Sequence, residues 1–211
     1  MMKSNIQKII QEIGKAKLVA VSKKKSVLEI KQAINAGIKI IGENRIQKAQ
    51  EKYNELNEFF KENHVEFHFV GHLQSNKTKK AVEMFDLIQT VDSLKLAQEI
   101  NNRAKEINKI QRVLIQINIG EEKQKFGIKP EKTVEFVAQI KKYKNIKIKG
   151  LMCIHPFGED PIPYFKRMKK IFDSTQLEIL SMGMSSDYEI AIKCNSNMIR
   201  LGSTIFGTRI K

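Results

Sequence analysis

Short apolar runs alternate with longer amphipathic stretches along the whole of this chain. Residues 2–14 place Ile6, Ile9, Ile10 and Ile13 on one face of a helix. Residues 18–22 are a compact apolar run of strand character that breaks into Lys23, Lys24 and Lys25. Ser26 then caps a helix over 27–36, which stops at Gly37. The alternation continues with a strand over 38–41 and a helix over 45–60 that turns Ile46, Ala49, Tyr53 and Leu56 inward. A strand over 66–70, a helix over 78–84 and a strand over 87–91 follow, and Asp92 or Ser93 caps the next helix, to residue 108. Val113, Ile115, Ile117 and Ile119 alternate in a fifth strand over 112–119. After a loop over 120–129, Pro130 opens a helix to residue 143. A strand over 146–152, a loop over 155–161 and a helix over 164–177 come next. A seventh strand covers 178–182, Asp187 caps a short helix to residue 193, and an eighth strand covers 198–201.

Strict alternation of strands and helices predicts a parallel sheet, and eight units are what a closed barrel needs. The expected fold is therefore α/β, a (β/α)8 TIM barrel with an extra N-terminal helix, as one domain over residues 1–211. At 211 residues its loops must be tight. The alternative is an open doubly wound sheet, but the chain holds no G-x-G-x-x-G or Walker sequence.

Composition changes this picture little. Hydrophobic residues at 41% and charged residues at 29% are ordinary for a water-soluble domain. No apolar run is long enough to span a bilayer, and the N-terminal stretch lacks the continuous apolar core of a signal peptide. Cys153 and Cys194 form neither a disulfide framework nor metal-site spacing, and Cys194 reads as a small buried residue. The expected setting is the cytoplasm. The net charge of +15 favours anionic partners. The lysines are scattered and no RNA-binding signature appears among them, so nucleic acid is not the expected partner. No self-complementary apolar face stands out, and a monomer is expected. No histidine pair has helical metal spacing, so no metal is expected. His68 alternates with Phe67 and Phe69 toward the barrel interior, His72 falls in a loop near the mouth, and His64 and His155 read as loop residues.

The chemistry gathers at the ends of the outermost strands. Lys23 follows the first strand, at the edge where parallel α/β folds bind ligands, and a partly desolvated amine there is suited to carbonyl chemistry. Alone, Lys23 to Lys25 also read as a solvated charge run. Two small turns, Gly183-Met184-Ser185-Ser186 and Gly202-Ser203-Thr204, follow strands seven and eight. Barrels often bind phosphate there through backbone N–H groups. Arg200 lies on the eighth strand; it either points into the mouth toward an acceptor or outward into a surface ion pair, and local sequence leaves both open. A cofactor with an aldehyde, a ring nitrogen and a phosphate fits a lysine, an arginine and such a cradle around one rim. Pyridoxal 5′-phosphate (PLP) has all three.

Several stretches together resemble one family. They are Ala20-Val21-Ser22-Lys23, Gly42-Glu43-Asn44, the run from His68 through Gly71-His72-Leu73-Gln74-Ser75-Asn76-Lys77, and Leu114-Ile115-Gln116-Ile117-Asn118. Lys149-Gly150-Leu151-Met152, Leu180-Ser181-Met182-Gly183-Met184-Ser185-Ser186-Asp187 and Arg200-Leu201-Gly202-Ser203-Thr204-Ile205-Phe206-Gly207 complete the set, in order and across nearly the whole chain. The chain resembles the single-domain pyridoxal phosphate homeostasis proteins, the YggS/PROSC type, whose barrel is that of the alanine racemase N-terminal domain. The resemblance implies that Lys23 forms the Schiff base, that Arg200 faces the pyridine nitrogen, that Ser185, Gly202 and Ser203 bind phosphate, and that Asn44 reaches the ring. The chain departs from the family at Cys194-Asn195-Ser196-Asn197, where a glycine and a serine–threonine pair are common, and in its short loop over 155–161.

An arginine at the ring nitrogen keeps that nitrogen unprotonated and the ring a weak electron sink. Racemisation needs a second acid/base on the opposite face of the substrate carbon, and none of Tyr53, Tyr143, Tyr164 and Tyr188 sits in a motif for it. The resemblance implies a protein that carries and buffers PLP and supports PLP and amino-acid homeostasis, with apo PLP-dependent enzymes or free amino acids as further partners and no robust turnover. A weak single-domain PLP-dependent amino-acid racemase is the alternative.

Overall fold

The computed structural model describes residues 2–207; the ends of the expected single domain, residues 1 and 208–211, lie outside the described residues. Helix α1 (Met2–Glu12) precedes eight strand–helix units. The strands are β1 (Lys17–Val21), β2 (Ile40–Glu43), β3 (Glu66–Phe69), β4 (Leu87–Val91), β5 (Gln111–Ile117), β6 (Ile146–Cys153), β7 (Ile179–Ser181) and β8 (Met198–Leu201). Each pairs in parallel with the next, and β1 pairs with β8, so the sheet closes into a barrel in sequence order. The helices between them are α2 (Val27–Asn35), α3 (Ile46–Glu62), α4 (Thr78–Met84), α5 (Leu94–Glu106), α6 (Thr133–Ile140), α7 (Pro161–Asp173) and α8 (Tyr188–Lys193), with α9 (Ser203–Phe206) after β8. No helix among the described residues is long and apolar enough to cross a membrane.

Strand alternation sorts side chains into two layers. One set, including Ile41, Phe67, Phe69, Ile88 and Ile115, packs outward against the buried faces of the helices. The other, Val19, Ile40, Leu87, Leu114, Met152 and Met198, fills the barrel. His68, Gln89, Ser181 and Arg200 are buried polar side chains on the strands.

The structure moves several expected boundaries, each for a local reason. The second strand begins at Ile40, not residue 38. Gly37 takes φ +114, and the Ile38 N–H donates back to Ala33 O, so Ile38 closes the C-terminus of α2. Helix α7 begins at Pro161, three residues earlier than the pattern suggests, because Asp160 accepts from the Ile162 N–H and Pro161 suits the first turn. The expected helix from Pro130 is a 3-10 turn at Pro130–Lys132 followed by α6. Ser93, rather than Asp92, caps α5 through the Leu96 N–H. Asp187 occupies the position before α8 but makes no side-chain cap bond, its carboxylate being used elsewhere. Helix α9 lies in the stretch that periodicity leaves as a closing tail.

Candidate functional site

Strand β1 ends at Val21, and the chain reverses over Ser22 to Lys25, where the Lys25 N–H donates to Ser22 O at 3.0 Å. Lys24 takes φ +62 in this turn, a conformation that costs a residue with a Cβ about 1 kcal/mol. The turn sorts the three lysines: Lys24 is exposed, while Lys23 and Lys25 line a cavity. Lys25 Nζ is committed, donating to Glu29 Oε1 at 3.1 Å and to Phe206 O at 3.0 Å. No hydrogen bond or ion pair engages Lys23 Nζ among the described residues, and it is the uncommitted amine of the cavity.

A buried ion pair fixes this turn from below. Glu43, 1% exposed, pairs with Lys52 of α3. Lys52 Nζ also donates to Ser22 O at 2.6 Å, and the Ser22 hydroxyl donates to Glu43 Oε1 at 2.9 Å. Glu43 Oε2 accepts the Asn44 N–H at 3.2 Å. One carboxylate thus holds both the turn bearing Lys23 and the residue after β2. Asn44 lines the cavity, and its buried side-chain oxygen has no hydrogen-bond partner among the described residues. A ligand with a hydroxyl or N–H donor would satisfy it.

On the other side of the β1 turn, where β8 pairs with β1, the turn after β7 folds against the turn after β8. Gly183 takes φ +98, and a Cβ there would lie 2.6 Å from Ala191 Cβ, so the turn needs glycine. Ser185 Oγ accepts long hydrogen bonds from the N–H groups of Gly202 (3.3 Å) and Thr204 (3.4 Å). These amides and the hydroxyls of Ser185 and Ser203 form a cradle of donors suited to an anion. Asp187 shapes the turn: its Oδ1 accepts the Met184 N–H at 2.8 Å, and its Oδ2 accepts the Ser186 hydroxyl at 2.9 Å.

Arg200 points inward and is 5% exposed. Its Nη1 donates to Ser181 Oγ at 2.6 Å and its Nη2 to Cys153 O at 2.9 Å. Burial pulls its pKa below the ordinary arginine value, with the nearby Asp187 charge opposing. It remains a cation, since arginine does not lose its proton in proteins. Burial pushes the neighbouring Cys153 thiol up to about 12, so Cys153 is an inert neutral side chain of the core.

The cavity measures about 640 Å³ and opens at the C-terminal ends of the strands. Lys23, Asn44, Ser185, Arg200, Gly202 and Ser203 all line it. Val21, Val70, Ile154 and Met184 supply apolar wall. An amine, a guanidinium and a cradle of N–H and O–H donors around an apolar slot fit an aromatic aldehyde phosphate. His72 is not among the lining residues; it stacks on Phe126 at 3.5 Å between ring centroids and pairs with Asp92. The stretch around Cys194 and the loop over 155–161 also stay off the lining.

Periodicity and spacing do not reveal the supports of the site: Lys52 beneath Lys23, Ser181 beneath Arg200, and His155, which bonds to Asp187. Only Ser181 carries a signal, since it shares the inward parity of Ile179 on β7.

The family described as the alanine racemase N-terminal domain matches residues 1–210. A pyridoxal phosphate homeostasis protein of Aquifex aeolicus is 38% identical over 217 residues, covering 97% of this chain and 93% of that protein. One of Schizosaccharomyces pombe is 37% identical over 203 residues, covering 91% and 84%. Among solved structures, PipY of Synechococcus elongatus PCC7942 is 31% identical and covers 98% of this chain and all of that one. Its TM-scores are 0.91 without PLP and 0.90 with PLP bound. An alanine racemase of Clostridium difficile 630 shares the fold at a TM-score of 0.76 and 17% identity, with this chain spanning 58% of it. The chain belongs to the alanine racemase N-terminal domain family and, within it, to the pyridoxal phosphate homeostasis proteins.

Proposed function

We propose that this protein binds PLP in the mouth of its barrel and serves as a carrier and buffer of that cofactor. The observation that carries the reading is the convergence of the uncommitted Lys23 amine, the buried Arg200 guanidinium and the Ser185–Gly202–Thr204 cradle on one cavity. When bound, PLP supplies an aldehyde that condenses with an amine and a ring that can draw electrons from it. Lys23 presents the amine. The amides and hydroxyls of the cradle hold the phosphate. Arg200 donates to the ring nitrogen and, being permanently charged, keeps a proton off it. Asn44 accepts a donor at the ring edge. Val21, Val70 and Ile154 shield the slot from water.

What favours a carrier over a racemase is the cavity's shortage of proton donors and acceptors. Racemisation needs two acid/base groups on opposite faces of one carbon. No tyrosine, histidine or carboxylate lines the cavity among the described residues, and its second lysine, Lys25, is held by Glu29 and Phe206 O. Incubation with a panel of L-amino acids followed by chiral analysis separates the two readings; D-enantiomer formation lost in Lys23→Ala supports the racemase. The carrier reading further proposes a monomer in the cytoplasm that yields PLP to apo-enzymes or to free amino acids.

The direct test is chemical. The protein is loaded with PLP, reduced with borohydride and mapped by peptide mass. The label is expected on Lys23. A label on Lys24, Lys25 or Lys77 instead overturns the site.

A further inference from the structure

Arg200 is a buried cation that makes no ion pair with a carboxylate among the described residues; the two atoms that accept from it there, Ser181 Oγ and Cys153 O, are neutral oxygens. A buried charge in that position depends on dipoles held in a fixed direction. The structure supplies them through the barrel core. Arg200 Nη1 donates to Ser181 Oγ at 2.6 Å. The Ser181 hydroxyl donates to Gln89 Oε1 at 2.8 Å. Gln89 Nε2 lies 3.1 Å from His68 Nδ1, and His68 Nε2 lies 2.9 Å from Glu66 Oε2. Arg112 of β5 pairs with the same Glu66 oxygen at 3.2 Å. Ser181, Gln89 and His68 are each 1% exposed or less.

The direction of every link follows from the far end. Burial favours the neutral His68 ring, and because a carboxylate only accepts, His68 Nε2 carries its one proton and His68 Nδ1 is an acceptor. Gln89 must then present its NH2 group to His68 and its oxygen to Ser181. Ser181 in turn has an acceptor for its own proton and turns a lone pair to Arg200. All the donors point one way, from the guanidinium in the mouth to the carboxylate at the opposite end of the barrel.

We propose that Ser181 and Gln89, oriented by His68 and Glu66, are positioning residues for the PLP ring nitrogen, acting through Arg200. The inference rests on the reading of the cavity as a PLP site. Among the described residues, three of the five Arg200 N–H donors remain outside its hydrogen bonds, and the position of the whole plane is set by the oxygens that hold the other two. If Gln89 loses its acceptor, the Ser181 hydroxyl is free to turn its proton toward the guanidinium, and the plane loses its anchor.

The test compares two ligands on three proteins. The ligands are PLP and its 1-deaza analogue, in which the ring nitrogen is a C–H and the aldehyde and phosphate are unchanged. The proteins are the wild type, Ser181→Ala and Gln89→Met. Affinities are read by spectrophotometric titration. A hydrogen bond from a charged donor gives the wild type a preference for PLP of about tenfold or more. Both variants are expected to cut that preference to about threefold or less, while the 1-deaza analogue binds nearly as it does to the wild type. A merely structural loss would lower both ligands together. Ser181→Ala removes a single oxygen and tests the proposal even if Gln89→Met does not fold. An undiminished preference in Ser181→Ala overturns the inference and leaves the PLP site standing. A wild type that binds neither ligand overturns the PLP reading itself, and the inference with it.

Discussion

His155 Nε2 lies 3.1 Å from Asp187 Oδ2, and this contact ties the loop after β6 to the turn that carries Ser185. Asp187 is 5% exposed and uses its other oxygen on the Met184 N–H. The pair therefore braces the side of the cavity proposed to take the phosphate, without lining it. Asp187→Ala is expected to weaken PLP by about tenfold or more, the worth of its lost charge-assisted bonds, and to leave pyridoxal nearly unchanged. Titration of both ligands checks this; an equal loss for both would assign Asp187 a general structural role.

The cradle itself is tested by removing its hydroxyls. Ser185→Ala combined with Ser203→Ala takes away two donors worth about 1.5–3 kcal/mol each to a charged acceptor. PLP affinity should fall steeply while pyridoxal, which has no phosphate, is barely affected. Parallel losses for the two ligands would argue against a cradle at these turns.

Arg200→Glu reverses the sign of the group proposed to face the ring nitrogen. A carboxylate stabilises a protonated ring, so the visible spectrum of bound PLP and its pH dependence should shift. The same carboxylate repels phosphate and lowers affinity, so spectra must be compared at saturating PLP. A bound spectrum identical to wild type at every pH would place Arg200 away from the nitrogen.

The Glu43–Lys52 pair makes a strong stability prediction. Lys52→Met leaves the Glu43 carboxylate buried and unpaired, at a cost of about 3–5 kcal/mol. Adding Glu43→Gln removes the stranded charge and should recover a large part of that loss. Urea denaturation of the two variants reads the difference. A double variant no more stable than Lys52→Met would contradict it.

Stability should also depend on pH through the core. Burial lowers the His68 pKa from 6.5, so the unfolded chain takes up the proton first. The His68 contribution is whole above about pH 6.5 and is lost as pH falls from there through the folded value. Glu66 is held down to about 2 by its bond to His68 and by Arg112, against 4.5 unfolded, so its contribution is lost between about pH 4.5 and 2. Asp86 and Arg112, the other charges facing His68, oppose each other. Urea midpoints should therefore begin to fall below pH 6.5 and fall further below 4.5. His68→Gln should flatten the upper part of the curve.

Much of the barrel is legible because strands buried on both faces read as short apolar runs, and eight of them admit closure. The lysine, the arginine and the small turns are legible because each lies at the end of such a run. What stays hidden depends on contacts across the fold. Ser181 and Gln89 are 92 residues apart in sequence, and His155 and Asp187 belong to different units. The Lys24 φ of +62 decides which lysine enters the cavity, and no composition rule announces a left-handed lysine. Ile38 looks like a strand residue, and only its N–H bond back to Ala33 O shows that it ends a helix.

Val19 of β1 stands opposite Arg200 of β8, which means that Lys23 and the phosphate cradle meet across the seam where the first strand joins the last. That seam cannot form until β8 has been synthesised, because its partners come from opposite ends of the strand order. A ribosome-bound chain lacking β8 would contain Lys23 and Asn44 but no pocket. PLP capture would then report completion of the ring. A ligand that binds only the completed ring also fastens it, by about 2.7 kcal/mol at one hundred times its dissociation constant. Supply of PLP would thus set how tightly the newly made protein is closed.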